Sequence, residues 1–241
     1  LLKDSTLLAT KGYIAGEWCE GQDGQTFPVY NPARGDVIID VADISRTQTA
    51  EAISIAEKAQ KLWAARPAKE RSNLLRNWYN LMMENQEDLA TILTAEQGKP
   101  IEEAKGEIAY GASFIEFFAE EAKRVYGETI PGHQSDKRIT VLKQPVGVAA
   151  SITPWNFPNA MITRKAGPAL AAGCAFIARP AAETPLSALA MGILADRAGL
   201  PKGILSIIPS SRSSEIGKEF CENPIIRKLT FTGSTEVGRI L

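Results

Sequence analysis

Three short stretches of this 241-residue chain combine side chains suited to chemistry. The first is "SITPWNFPNAMITRK", residues 151–165, where a β-branched run through Ile152 and Thr153 breaks at Pro154, offers Trp155 and Asn156, and breaks again at Pro158. An asparagine amide is an N–H donor with no protonation state to manage, so Asn156 suits a developing oxyanion. Trp155 suits a pocket wall, and Arg164 suits a bidentate pair with a carboxylate. The plain alternatives are a helix cap for Asn156, ordinary packing for Trp155, and solvation for Arg164 and Lys165. The second stretch is "IARPAAE", residues 177–183. An arginine after a strand suits a ribose 2′-phosphate, whereas an acidic residue suits a free 2′-hydroxyl. Arg179, followed by Pro180 and the small Ala181 and Ala182, favours the phosphate; the plain alternative pairs Arg179 with Glu183. The third is "FTGSTEVG", residues 231–238, where Gly233 admits a close approach and Ser234 opens a helix whose free N–H groups favour an anion. It is not a G-x-G-x-x-G pattern, and alone it reads as a capped helix.

The elements that must position these corners are legible as a change of period. From Val146 onward, strand and helix alternate four times: "VGVAASIT", "CAFIARP", "GILSIIP" and "RKLTFTG" as strands, with helices between them. This alternation predicts a parallel sheet flanked by helices, with all strand carboxyl ends on one edge, where ligands of such sheets bind. Thr184-Pro185 predicts a helix start and Gly199 its stop. Upstream, residues 46–65 predict an amphipathic helix with Ile53, Ile55, Ala56, Ala59 and Leu62 on one face. One or two more helices run to Gly98, and a long one follows with a buried stripe at Phe114, Phe117, Phe118 and Ala122. "TIPGHQSDKRITVLKQPVG" predicts a hairpin turning over Gly132–Asp136 that interrupts the helical region, an arm suited to oligomer contacts. The start of the chain reads as short extended pieces.

Composition narrows the function. Apolar residues make up 44%, charged residues 23%, and the net charge is −1, so no basic field calls for nucleic acid or an anionic membrane. No apolar run reaches membrane-spanning length, and the polar start excludes a secretory signal at this position. The first residue is not Met, which points to a segment upstream. The three cysteines, Cys19, Cys174 and Cys221, are widely spaced and odd in number, as expected of reduced thiols. The expected compartment is cytoplasmic, with the mitochondrial matrix as the alternative. A single histidine, His133, argues against a Ser–His–Asp triad, and nothing has metal-ligand spacing.

Taken together and in order, "AEQGKPIEEAKGEI", "TPWNFPNAMITRKAGPALAAGC" and "LTFTGSTEVGR" resemble the aldehyde dehydrogenase superfamily, nearly end to end, and "MITRKAGPALAAGC" is similar to its succinate-semialdehyde branch. The resemblance implies a Rossmann-like cofactor domain with residues 1–128 as its helical part, 129–147 as an oligomerisation hairpin, and 148–241 as its βαβ part. It implies that Asn156 supports the thiohemiacetal oxygen and that Ile152, Thr153, Pro154 and Trp155 wall the nicotinamide half of NAD or NADP. Arg179, Pro180, Ala181 and Ala182 would meet the adenosine ribose, Gly233 and Ser234 the pyrophosphate, and Val237 the adenine. Arg164 would grip the distal carboxylate of succinate semialdehyde, and the whole would assemble as a homodimer or homotetramer. Arg179 stands where the family has lysine, and Ala182 where NAD-preferring members carry glutamate, which tilts the expectation to NADP. The loop "PSSRSS" replaces a commonly glycine-containing one. The family's nucleophilic cysteine and base glutamate lie downstream of the "FTGST" turn, so residues 1–241 alone are expected not to turn over. The alternative is a degenerate nucleotide-binding or assembly module without catalysis.

Overall fold

The computed structural model describes residues 2–241. Its centre is a six-stranded sheet in the order β10-β7-β8-β9-β1-β2. β7 (Val148–Ile152), β8 (Ala175–Arg179), β9 (Leu205–Ile207) and β10 (Ile226–Phe231) run parallel. β1 (Gly12–Ile14) joins β9 antiparallel, and β2 (Glu17–Cys19) pairs antiparallel with β1. The four strands of the alternation run parallel as expected, and β1 and β2 at the edge make the sheet as a whole mixed. Its antiparallel edge is a hairpin whose two-residue loop places Ala15 at φ 55° and Gly16 at φ 80°. That pair of positive φ angles matches the right-handed twist of the strands.

Every residue of β7 and β8 is buried, as expected of strands covered on both faces. α5 (Ala160–Ala171) packs on β7 and β8, and α6 (Leu186–Arg197) on β9 and β1. An outer layer of α2 (Ala68–Glu84), α3 (Gln86–Gln97) and α4 (Ile101–Glu121) backs onto α5 and α6. α1 (Arg46–Ala64) lies against β7, β8 and α7 (Ser213–Glu222). α3 stops at Gly98, which turns to φ 86° as helix-ending glycines do.

Two predicted apolar faces are corrected. In α1, Ile53 and Ala56 are buried, but Ile55 and Leu62 face outward; Thr49, Ala52 and Trp63 complete the buried side. In α4 the buried stripe is Ala104, Ile108, Gly111, Ala112, Ile115 and Ala119, while Phe117 is exposed and Phe114 and Phe118 only partly covered. Small residues face α5 because the two helices cross closely: a Cβ on Gly111 would lie 2.2 Å from Asn159 Oδ1.

β3 (Thr26–Tyr30) and β4 (Val37–Ala42) form one separate two-stranded sheet. β5 (Glu128–Pro131) and β6 (Arg138–Val141) form another, with Pro131 opposite Arg138 and every strand residue exposed. This is the hairpin expected between the helical and βαβ parts. No helix among the described residues is long and apolar enough to cross a membrane.

Candidate active site

The carboxyl ends of the parallel strands meet on one edge. Phe231 pairs with Ile152, and Ile152 with Arg179. Beyond the strands, Thr232 N–H donates to the Ile152 carbonyl, Thr153 N–H to the Arg179 carbonyl, and Ile208 N–H to the Ala178 carbonyl. All three corners singled out in the sequence, together with the loop after β9, therefore open on this edge.

The corner after β7 rises from a buried base to an exposed tip. Ile152 and Thr153 are buried, Pro154 is partly covered, and Trp155, Asn156 and Phe157 are exposed. The Asn156 amide has no partner among the described residues, whereas its backbone carbonyl accepts from Lys99 Nζ at 3.2 Å. Asn156 is thus not a cap for α5. The helix is entered through Asn159, which makes no side-chain cap either. The role falls to Glu107 of α4, whose Oε1 accepts from the N–H groups of Asn159 (3.0 Å) and Ala160 (3.3 Å). A carboxylate at a helix amino end meets both the free N–H groups and the positive dipole end. Glu107 Oε2 accepts from Lys99 Nζ at 2.6 Å; the glutamate is buried and the lysine largely covered.

Of the two cations on α5, neither is simply solvated. Arg164, in the second turn, donates to the Tyr110 hydroxyl at 2.9 Å and lies 4.8 Å from the centre of the Phe114 ring. Among the described residues no carboxylate lies within ion-pair distance of it. It borders an open groove with Phe114, Phe117 and Arg76, whose guanidinium is held by Glu116 and Glu120. Lys165 turns the other way and donates to Thr232 Oγ1 at 2.6 Å, bracing the loop after β10. Burial, and then the neighbouring Arg164 charge, push its ammonium below the usual lysine range. Lys165 is a site residue that sequence reasoning left unassigned; its only signal was a second cation on an apolar helix.

The corner after β8 departs from expectation. Arg179 is not a surface cation: it is 6% exposed and donates from Nη2 to the Ser210 carbonyl at 3.0 Å. Burial lowers its pKa from the usual arginine range. Its Nε has no partner among the described residues. Pro180 and Ala181 are also buried, and Ala182 is partly covered. Thr184 Oγ1 is buried without a partner, so the expected cap is absent; α6 is capped by Glu96 of α3, which accepts from Leu186 N–H (2.7 Å) and Ser187 N–H (2.8 Å). The loop after β9 is tied down by Asp43, which accepts from the hydroxyls of Ser210 (2.9 Å) and Ser211 (2.6 Å).

At the corner after β10, Ser234 caps α8 (Thr235–Ile240), accepting from Val237 N–H at 3.3 Å. Gly233, Ser234 and Val237 are exposed. A Cβ on Gly233 would fall 2.5 Å from the Phe231 ring, so the glycine is required by its own strand's aromatic side chain. Cys174 is buried, and burial and then nearby carboxylates push the thiols of Cys19 and Cys221 up. Among the described residues no cluster of His, Cys, Asp or Glu could hold a metal ion.

The arrangement offers an amide donor and an arginine beside the carboxyl edge of the sheet, and the chain as a whole is similar to known proteins. The chain is 60% identical over its full length to the glutarate-semialdehyde dehydrogenase of Pseudomonas aeruginosa, covering 50% of that relative. It is 57% identical, again over its full length and 50% of the relative, to the NADP(+) succinate-semialdehyde dehydrogenase GabD of Escherichia coli. The crystal structure of an aldehyde dehydrogenase from Brucella melitensis biovar abortus superposes on 99% of the chain and 49% of its own, with a TM-score of 0.98 at 56% identity. The chain thus spans about half the length of the curated relatives it matches. The model of the aldehyde dehydrogenase family matches residues 18–241, and the chain belongs to that family.

Proposed function

We propose that the protein oxidises a semialdehyde bearing a distal carboxylate to the dicarboxylate, with succinate semialdehyde as substrate and NADP as the preferred acceptor. The observation that carries this reading is the pairing, on one loop and the helix it opens, of an exposed Asn156 amide with an Arg164 guanidinium that has no carboxylate of its own among the described residues. Asn156 would donate to the aldehyde oxygen as that oxygen takes up negative charge. Arg164, backed by Tyr110 and Phe114, would hold the carboxylate at the far end. The aldehyde carbon loses a hydride and gains an oxygen from water. The attacking thiolate and the base implied by the resemblance are not assigned to any residue of 2–241.

The edge fits a dinucleotide. Thr153 Oγ1 and Arg179 Nε are buried polar atoms without partners among the described residues, at the ends of two adjacent strands. Thr153 and Trp155 would border the nicotinamide, Arg179 with Pro180, Ala181 and Ala182 the ribose, and Gly233, Ser234 and Val237 the diphosphate and adenine. When bound, the dinucleotide supplies the hydride acceptor. The absence of an acidic side chain at Ala182 favours NADP, and one relative's name specifies NADP(+). The exposed β5–β6 hairpin supports self-association as a homodimer or homotetramer.

The test is Arg164→Ala in the full-length enzyme. A charge-assisted bidentate contact contributes roughly 1.5–3 kcal/mol, so KM for succinate semialdehyde should rise about ten- to a hundredfold. KM for an uncharged aldehyde such as propanal should change less than about twofold by the same argument. Equal changes for the two substrates would remove the carboxylate contact. Glutarate semialdehyde, one methylene longer, belongs in the same assay, since a methylene discriminates only about 10–200-fold.

A further inference from the structure

We propose that the largely covered Lys99–Glu107 ion pair is a positioning device for the Asn156 amide, so that these two residues act on the reaction through the loop after β7. The proposal rests on the reading of Asn156 given above. Four residues of the stretch, Asn156, Phe157, Asn159 and Ala160, are held by this one pair. Glu107 Oε1 holds the N–H groups of Asn159 and Ala160, and its Oε2 holds Lys99. Lys99 Nζ in turn holds the Asn156 carbonyl at 3.2 Å and sits 3.8 Å from the centre of the Phe157 ring. Fixing that carbonyl fixes the peptide plane beside the Asn156 Cα, and with it the direction in which the side chain leaves the backbone.

The lysine is itself held from both sides. It occupies the corner between α3 and α4, after Gly98 at φ 86° and before Pro100, which caps α4. Its side chain is 10% exposed and that of Glu107 1%. Burying two charges is weak evidence for a gain in stability, because desolvation opposes the attraction. A pair kept there at that cost, with its spare donor on a loop whose tip is exposed, is explained by what it holds. The adjoining Asn159 is fully buried and neither of its amide atoms has a partner among the described residues, so its own side chain contributes no such bond.

The test uses the full-length enzyme with Lys99→Met, Lys99→Arg, Asn156→Ala and the Lys99→Met/Asn156→Ala double variant. Small misplacements of a reacting group cost up to about a hundredfold, so Lys99→Met should lower kcat about ten- to a hundredfold with KM nearly unchanged. Lys99→Arg keeps the charge beside Glu107 but puts a planar fork under the carbonyl. Its thermal midpoint should stay near wild type while kcat stays down about tenfold, a split that a purely structural role would not give. Asn156→Ala should cost about 10²–10³ in kcat. The double variant should be no slower than Asn156→Ala alone, because both changes remove one contribution. A wild-type kcat for Lys99→Arg, or multiplied losses in the double variant, overturns the proposal while leaving Asn156 in place. A wild-type kcat for Asn156→Ala instead overturns the reading of the site, and the positioning role falls with it. If Lys99→Met does not fold, Lys99→Arg with and without Asn156→Ala decides on the same criteria.

Discussion

α5 and α6 begin in the same way and serve different ends. Each follows a parallel strand, neither is capped by its own side chain, and each takes a buried glutamate from the outer helical layer onto two backbone N–H groups. At α5 the glutamate, Glu107, is paired with Lys99, and the loop ahead of it is exposed at Trp155, Asn156 and Phe157. At α6 the glutamate, Glu96, has no cation paired with it among the described residues, and the helix entry from Thr184 on is buried. Burial there outweighs its hydrogen bonds and pushes its pKa up to about 7. A carboxylate alone is enough to start a buried helix. The cation is present where a loop must be held facing outward.

The sharpest way to break this comparison is to delete each glutamate and follow unfolding in urea. Glu107→Ala strips as many N–H groups as Glu96→Ala and also leaves the largely covered Lys99 ammonium without its partner, so its loss should be the larger and reach up to about 3–5 kcal/mol. Glu96→Ala strips two N–H groups of their acceptor but strands no charge, so about 1–3 kcal/mol is expected. Losses of equal size would mean that Lys99 adds nothing at α5. The pH dependence separates the two sites further. Between the ordinary glutamate pKa of 4.5 and about 7, folded Glu96 holds a proton that the unfolded chain has released. Its contribution to stability is therefore fully present below pH 4.5, falls as pH rises to about 7, and is flat above that. Glu96→Gln should abolish that slope; an unchanged slope would assign it to another group. The smallest effect belongs to α1, where Ser45 accepts from Gln48 N–H and the Gln48 side chain returns a bond to the Ser45 N–H. Ser45→Ala should cost about 1 kcal/mol, and a loss as large as that of Glu107→Ala would erase the distinction between local and long-range caps.

The βαβ part was legible because its strands read as short apolar runs and its helices are bounded by glycines such as Gly199, which does adopt φ 86°. The hairpin over residues 128–141 was legible from its turn residues. What escaped was small or distant. β1 and β2 have three residues each, and the alanine in their turn gives no glycine-asparagine signal, so their entry into the main sheet left no trace. The α4 stripe was misread because aromatic spacing suggests burial, whereas a close helix crossing selects alanine and glycine. Arg179 was read toward a ribose phosphate or Glu183 because nothing nearby in sequence reveals the Ser210 carbonyl 31 positions away. The helix caps of α5 and α6 escaped for the same reason: Glu107 lies 52 positions from Asn159, and Glu96 lies 90 from Leu186. Among the candidate site residues, Asn156 and Arg164 were marked by type and setting and Lys165 only as a second cation on an apolar helix, while Lys99 and Glu107 are visible only through their partners.

The bond from Lys165 to Thr232 joins α5 to the stretch leading into Gly233, and the Thr232 N–H is already committed to the Ile152 carbonyl. The two corners at Asn156 and Ser234 are thereby riveted to a common frame, one through the root of the helix and the other through its flank. The proposed dinucleotide, laid across them, would meet two ends that the fold already ties together before it binds.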